Sequence, residues 1–74
     1  MTDPLKLLNA LHSLSAVDEE RAVEVNYLSK LLGIEPKSLQ ESLKLLHEMR
    51  YVRIRGSHVH LTELGILKIN STFC

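Results

Sequence analysis

Apolar residues near the start of the chain recur with the period of a helix. Asp3-Pro4 is a typical helix start, because Asp caps free backbone N–H groups and Pro has no N–H to leave unpaired. The sequence therefore predicts a helix from Pro4 to about Leu14. Its apolar residues spread over more than half of the circumference, and they are Leu5, Leu7, Leu8, Ala10, Leu11 and Leu14. An arc this wide is more than one small core needs and predicts an interface.

The next segments predict a short strand and a second helix. Residues 15–21 are charged and lack periodicity, which indicates a loop, and residues 22–25 alternate as a very short strand does. Asn26 is predicted to cap the second helix, and Gly33 is placed to end it in a left-handed conformation. The predicted buried stripe of this helix is Leu28, Leu31 and Leu32.

A third helix is predicted from Pro36 to about Arg50, only a few residues after Gly33. Two helices joined this closely, with glycine at the break, are typical of a helix-turn-helix. At 100° per residue one stripe of the third helix is apolar and is expected to face the core: Leu39, Leu43, Leu46 and Met49. The opposite face carries long polar side chains: Lys37, Gln40, Glu41, Lys44, His47 and Glu48.

The segment YVRIRGSHVHLT, residues 51–62, predicts a β-hairpin. Gly56-Ser57 suits a two-residue turn, because Gly adopts positive φ without steric cost. On each side of the turn apolar and polar residues alternate. One face would hold Val52, Ile54, Val59 and Leu61, and the other would hold Arg53, Arg55, His58 and His60.

Thr62 is predicted to cap a last helix, from Glu63 to about Asn70, and residues 71–74 are expected to fray. The predicted fold is α+β and mostly helical: three helices, a small hairpin and a short C-terminal helix. All 74 residues are expected to form a single domain.

Composition narrows the possible functions. With 45% hydrophobic and 24% charged residues, the chain is expected to be an ordinary globular protein, and without a signal peptide or a long apolar run it is expected in the cytoplasm, away from membranes. Cys74 is the only cysteine, which leaves an idle thiol or an intermolecular bridge as its expected states. No catalytic motif or paired metal ligands beyond His58 and His60 are evident. We therefore expect that the protein is not an enzyme and that it binds no cofactor, metal ion or small-molecule ligand.

The formal net charge is zero, but the charges are unevenly distributed. Residues 1–35 contain six acidic and three basic side chains, whereas residues 36–60 contain two acidic and five basic side chains, with three histidines in addition. An acidic front half and a basic back half fit a protein that offers one side to an anion.

The order of these elements, with a hairpin directly after the third helix, resembles the winged helix-turn-helix family of DNA-binding proteins. Residues 25–65 carry the resemblance. Residues 28–34, LSKLLGI, are similar to the family's second helix and turn, and residues 61–65, LTELG, are similar to the segment that closes the wing in MarR-like and PadR-like regulators. Short stand-alone members are typical of archaea and their viruses or plasmids.

The resemblance implies a transcriptional regulator that binds duplex DNA in a sequence-specific way. Helix 36–50 would enter the major groove, and the wing, residues 51–62, would lie on the DNA backbone or in the minor groove. The residues expected to face DNA are Lys37, Ser38, Gln40, Glu41, Lys44 and His47 on the helix, and Arg53, Arg55, His58 and His60 on the wing. Glu41 stands about where many relatives have an arginine or a small polar residue.

These side chains have the chemistry that DNA recognition needs. Arg53 and Arg55, about 6.5 to 7 Å apart on one face of a strand, match the spacing of successive phosphates. Gln40 can pair with adenine, Lys37 or Lys44 with guanine or phosphate, and Glu41 can accept from a cytosine amino group. The histidines would gain charge next to phosphate at lower pH. The alternative is that either face is simply solvated.

We expect a homodimer that reads two half-sites about one helical turn, roughly 34 Å, apart. The expected interface combines the apolar arc of the first helix with the last helix: Leu7, Leu11, Leu14, Ile66, Leu67 and Ile69. A different function also fits the sequence, namely a winged-helix module that binds another protein within a larger assembly. Zero net charge and Glu41 on the presumed reading face favour that alternative.

Overall fold

Residues 3–73 contain four α-helices and a three-stranded antiparallel sheet. The predicted α+β, mostly helical class is therefore confirmed. The structure, a computed structural model, describes the backbone of residues 3–73 and the side chains of residues 3–71, so Cys74 lies outside the described residues. The elements in order are α1 (Pro4–Ser13), a 3-10 turn (Glu19–Arg21), β1 (Val23–Glu24), α2 (Val25–Leu32), α3 (Pro36–Glu48), β2 (Val52–Arg55), β3 (His58–Leu61) and α4 (Glu63–Phe73).

The sheet has the strand order β1-β3-β2. β3 is therefore the central strand, with Val59 opposite Val23 of β1 on one side and Ile54 of β2 on the other. Two further backbone bonds fix the hairpin to the preceding chain: Val25 N–H donates to the Ser57 carbonyl at 2.8 Å and Leu61 N–H to the Ala16 carbonyl at 2.7 Å. Within the described chain, β2 is left with a free edge.

The predicted two-faced hairpin is confirmed. Val52, Val59 and Leu61 are buried, whereas Arg53, Arg55 and His58 are exposed, and Ile54 and His60 are half-buried. Gly56, at the turn, has a φ of +61°, which is the left-handed region that the sequence predicts for it.

Three helices end in the same way, with a residue in the left-handed region that redirects the chain. These residues are Ser15 (φ +59°), Gly33 (φ +65°) and Arg50 (φ +67°). After each of them the next N–H bonds back to the helix; at the end of α3, Tyr51 N–H donates to the Leu46 carbonyl at 3.0 Å. This is the Schellman pattern, in which glycine is the usual residue. The role of Gly33 is thus confirmed, and two non-glycine residues share it.

Helix starts follow the sequence in one case and depart from it in another. The Asp3 side chain accepts from Leu5 N–H at 3.0 Å, so the predicted cap of α1 is confirmed. The prediction that Asn26 caps α2 is wrong, because α2 begins at Val25 and Glu24 takes the cap position without a side-chain hydrogen bond. Val25 N–H already donates to the hairpin turn, so no side-chain cap is needed there.

One cluster of buried apolar side chains joins all four helices or their flanking turns to the sheet. α1, α3 and the hairpin supply most of the cluster, whereas α2 supplies two residues and α4 supplies one. The cluster consists of Leu7, Leu8, Leu11, Ala16, Val25, Leu28, Leu39, Leu43, Leu46, Val52, Val59, Leu61 and Ile69.

Two residues predicted to be in the core are exposed: Leu31 keeps 52% and Met49 keeps 49% of its surface accessible. The buried residues of α2 are Val25, Leu28 and Ser29, and the Ser29 hydroxyl donates to the Ile34 carbonyl. Leu31 lies to one side of this buried stripe and therefore faces away from the core. Beyond α3 the chain turns at Arg50, and Val52 supplies the next buried apolar side chain in place of Met49.

The predicted interface on α1 is also wrong in part. Leu7 and Leu11 are 0% exposed and Ile69 is 5% exposed in the single chain, so these three side chains have no surface left for a second copy. α4 packs against α1 and covers the wide apolar arc that suggested an interface. Leu14 and Ile66 are half-buried, and only Leu67 of the predicted set is exposed.

Thr62 connects the end of α3 to the start of α4. Its hydroxyl oxygen accepts from Gly65 N–H at 3.1 Å, which confirms the predicted cap, and the hydroxyl donates to the Arg50 carbonyl at 2.6 Å. α4 continues to Phe73, past the predicted end near Asn70. No helix within the described residues is long and apolar enough to cross a membrane.

Candidate nucleic-acid interface

The polar face of α3 is open to solvent along its whole length. The predicted residues of this helix are all exposed: Lys37, Ser38, Gln40, Glu41, Lys44 and His47. Leu39, Leu43 and Leu46 anchor the opposite side in the core, so the helix cannot rotate without opening the core. The structure therefore presents these six side chains on a fixed support.

A groove lies between α3, the start of α2 and the hairpin turn, and we call it the tip groove. It encloses about 340 Å³. Gln40 reaches it from α3, and Asn26, Gly56 and Ser57 border it from the other two elements. Its apolar lining consists of Val25, Leu43 and Ile54.

Asn26 and Ser57 are site residues that the sequence analysis missed. Asn26 was interpreted as a helix cap and Ser57 as part of a turn, and both interpretations are local. The backbone bond from Val25 to Ser57, together with the pairing of β1 and β3, brings α2 and the hairpin turn together beside Gln40. A pairing this distant in sequence leaves no local pattern.

A second concave surface, which we call the arginine cleft, lies between the end of α3 and β2, the edge strand. Its volume is about 750 Å³. Three arginines and one glutamate line it, together with neutral or apolar residues. The lining residues are His47, Glu48, Arg50, Val52, Arg53, Ile54, Arg55 and Thr62. Ile54 also lines the tip groove, so the two concave surfaces meet at β2.

The polar face of the hairpin is partly covered by acidic residues. Glu19, in the 3-10 turn, forms an ion pair with Arg55. Glu24 of β1 lies directly opposite His58 of β3, which is itself opposite Arg55. The acidic front and the basic back of the sequence therefore meet at this face, and they do not form separate sides of the molecule as their distribution in the sequence suggested.

His60 differs from the other predicted hairpin residues because it is half-buried. Its Nδ1 lies 2.9 Å from the Leu61 carbonyl, which requires Nδ1 to be the donor. Its Nε2 is inaccessible to solvent and has no hydrogen-bond partner among the described residues. His60 still lines the surface beside Arg53 and Arg55, but less of it is accessible than of Arg53, Arg55 and His58, which are exposed.

Metal binding has no support in the described part of the chain. Within it, no three side chains of histidine, cysteine, aspartate or glutamate come close enough to hold an ion together. His58 and His60 share a strand face, and His60 is half-buried with its Nε2 inaccessible to solvent.

Comparisons with known proteins identify no relative: no family model matches the chain, and no curated protein or solved structure is similar to it at a significant level.

Proposed function

We propose that this chain is a winged helix-turn-helix regulator that binds duplex DNA in a sequence-specific way. α3 would lie in the major groove, and the hairpin would serve as the wing on the backbone or in the minor groove. The observation that carries the proposal is the exposed polar face of α3, flanked by two concave surfaces where it approaches the hairpin. An α-helix of this kind fits the major groove, and concave flanks leave room for the backbone.

The connections of the fold support the same proposal. Residues 33–35 alone join α2 to α3, and the hairpin follows α3 directly. β1 pairs with the second strand of the hairpin, so the hairpin is held at a fixed angle beside α3. A rigid support matters because base readout depends on placing side chains within hydrogen-bond distance.

Individual residues then have distinct proposed roles. Gln40, beside the tip groove, would read adenine through its amide, and Lys37 and Lys44 would meet guanine or phosphate. Glu41 repels phosphate and accepts hydrogen bonds, so it would select cytosine.

We propose that the regulator acts as a homodimer joined through α4. The outer face of α4 carries Leu64 and Leu67, both exposed, next to Tyr51. This face replaces the interface predicted from α1. A homodimer of this kind would supply two copies of α3, one for each half-site.

Fluorescence anisotropy with a labelled random-sequence duplex tests the DNA proposal. Binding of the natural protein should weaken steeply with salt. Lys37→Ala/Lys44→Ala should bind more weakly, with a log–log salt slope shallower by about 2. The matched control is Lys6→Ala/Lys30→Ala, which removes the same charge from exposed positions that line neither concave surface. Equal weakening in both variants would mean that net charge alone attracts DNA.

A protein-interaction module is the second candidate, and one observation favours it. Leu45 on α3 and Met49, which directly follows the helix, are four residues apart and both exposed, so this end of α3 offers an apolar strip. Failure of the natural protein to bind duplex DNA even at low salt would support this candidate. A Leu45→Lys variant would then be the first tool for finding the partner surface.

A further inference from the structure

Arg50 occupies a backbone position that favours glycine. Its φ of +67° lies in the left-handed region, where a side chain meets steric strain. The backbone is held there from both sides: Arg50 N–H donates to the His47 carbonyl at 3.0 Å, and its own carbonyl accepts from the Thr62 hydroxyl at 2.6 Å. The strain therefore persists in the folded chain, and an arginine at this position calls for an explanation beyond folding.

The position of Arg50 offers that explanation, because this exposed residue lines the arginine cleft together with Arg53. Neither arginine forms an ion pair with any acidic side chain of the described residues. The third arginine of the cleft, Arg55, is paired with Glu19. Two of the three guanidinium groups are therefore available to an external anion.

Opposing charges limit what kind of binding the cleft supports. Glu48 lines the same cleft, and the carboxyl end of α3 contributes the equivalent of about half a negative charge. The net field is therefore weak, and an anion would be held mainly by direct hydrogen bonds. Guanidinium groups suit this task because their planar donors bind a phosphate with two parallel bonds.

We propose that Arg50 and Arg53 form a phosphodiester-binding site in the arginine cleft, and that Arg50 occupies its strained position for the sake of this contact. The inference rests on the proposed DNA-binding function and deepens it, since it names the point where the DNA backbone is held. Phosphate is the anion that fits, because the cleft continues the exposed face of α3 along which a strand of DNA would run.

The decisive variant is Arg50→Gly, which separates stability from binding. Glycine relieves the left-handed strain, so the melting temperature should rise by roughly 2 to 6 °C. Loss of the guanidinium should raise the Kd for a labelled random-sequence duplex about 3- to 10-fold at low salt and make the salt slope shallower by about 1. A residue kept only for structure would not produce opposite effects on the two measurements.

Ser15→Gly is the matched control. Ser15 has the same left-handed position at the end of α1 and lines neither the tip groove nor the arginine cleft. This variant should be stabilised to a similar extent, with an unchanged Kd. Arg53→Ala should weaken binding as Arg50→Gly does, and Arg50→Lys should recover only part of the affinity, because an ammonium group lacks the two parallel donors.

The outcomes distinguish this inference from the proposed function. If Arg50→Gly binds DNA like the natural protein, the inference is overturned and the DNA-binding proposal stands. A lower melting temperature for both Arg50→Gly and Arg50→Asn would also overturn it, because Asn tolerates left-handed geometry and Arg50 would then be structural. If the natural protein itself does not bind duplex DNA, the proposed function fails and takes the inference with it.

Discussion

Glu19 and Arg55 form an ion pair that joins the 3-10 turn to the edge strand of the hairpin. Both side chains are more than half exposed, so the pair contributes little to folding. Its significance lies in competition, since a phosphate that approaches Arg55 must displace a carboxylate that is already there.

Glu19→Gln should therefore tighten duplex binding. We expect an affinity gain of about 2- to 4-fold at low salt that shrinks as salt rises, with unfolding stability unchanged within about 0.5 kcal/mol. Anisotropy titrations and urea denaturation measure the two quantities. Glu20→Gln removes the same charge from the neighbouring residue, which forms no ion pair within the described part of the chain. An equal gain in both variants would contradict a specific role for Glu19.

Replacing Thr62 with alanine should destabilise the protein by about 1 to 2 kcal/mol. The variant loses the cap on Gly65 N–H and leaves the Arg50 carbonyl without its hydroxyl donor. Urea denaturation is the appropriate measurement. Thr62→Ser retains the hydroxyl and should keep most of the stability, so a loss as large as that of the alanine variant would argue against the hydrogen bonds.

Gly65→Ala should also be destabilising, by about 2 to 3 kcal/mol. A Cβ atom at this position would overlap the carbonyl oxygen of Tyr51, which is backbone and cannot move aside cheaply. Thermal unfolding monitored by circular dichroism would measure the loss. Asn70→Ala, at an exposed position of the same helix, should be neutral or slightly stabilising. A stable Gly65→Ala variant would mean that α4 packs less closely on Tyr51 than the structure indicates.

Sedimentation velocity tests the homodimer. The natural protein should sediment as a dimer at tens of micromolar, and Leu67→Lys should sediment as a monomer, because a charge would be placed in the apolar face of α4. Leu67 is 61% exposed, so the substitution leaves the core intact. Leu31→Lys changes a similarly exposed leucine on α2 and should remain dimeric. A monomeric natural protein would end the proposal.

Local patterns were sufficient to predict most of the fold. The alternation around Gly56 fixed which hairpin residues are buried, and Asp3-Pro4 and Gly33 marked helix ends because their backbone preferences are strong. The exposed face of α3 followed from its 3.6-residue period. Each of these features depends on residues that are near one another in sequence.

Predictions that depended on distant pairings were less successful. The apolar arc of α1 suggested an interface, but α4 returns to cover it, so Leu7 and Leu11 belong to the core. The acidic 3-10 turn contacts the hairpin through the ion pair between Glu19 and Arg55, and no local sequence pattern indicates that contact. Arg50 escaped notice because arginine is an ordinary helix former, and its left-handed geometry arises only from the bonds around it.

The free edge of β2 has a consequence for solubility. An unpaired strand edge can add a strand from another molecule, which is a common route to aggregation. β2 has only four residues, and two of them are arginines whose charge repels a second copy of the same strand. The arginine side chains proposed to hold DNA thus also protect the protein from edge-to-edge pairing of strands. Arg53→Ala/Arg55→Ala would remove both functions together.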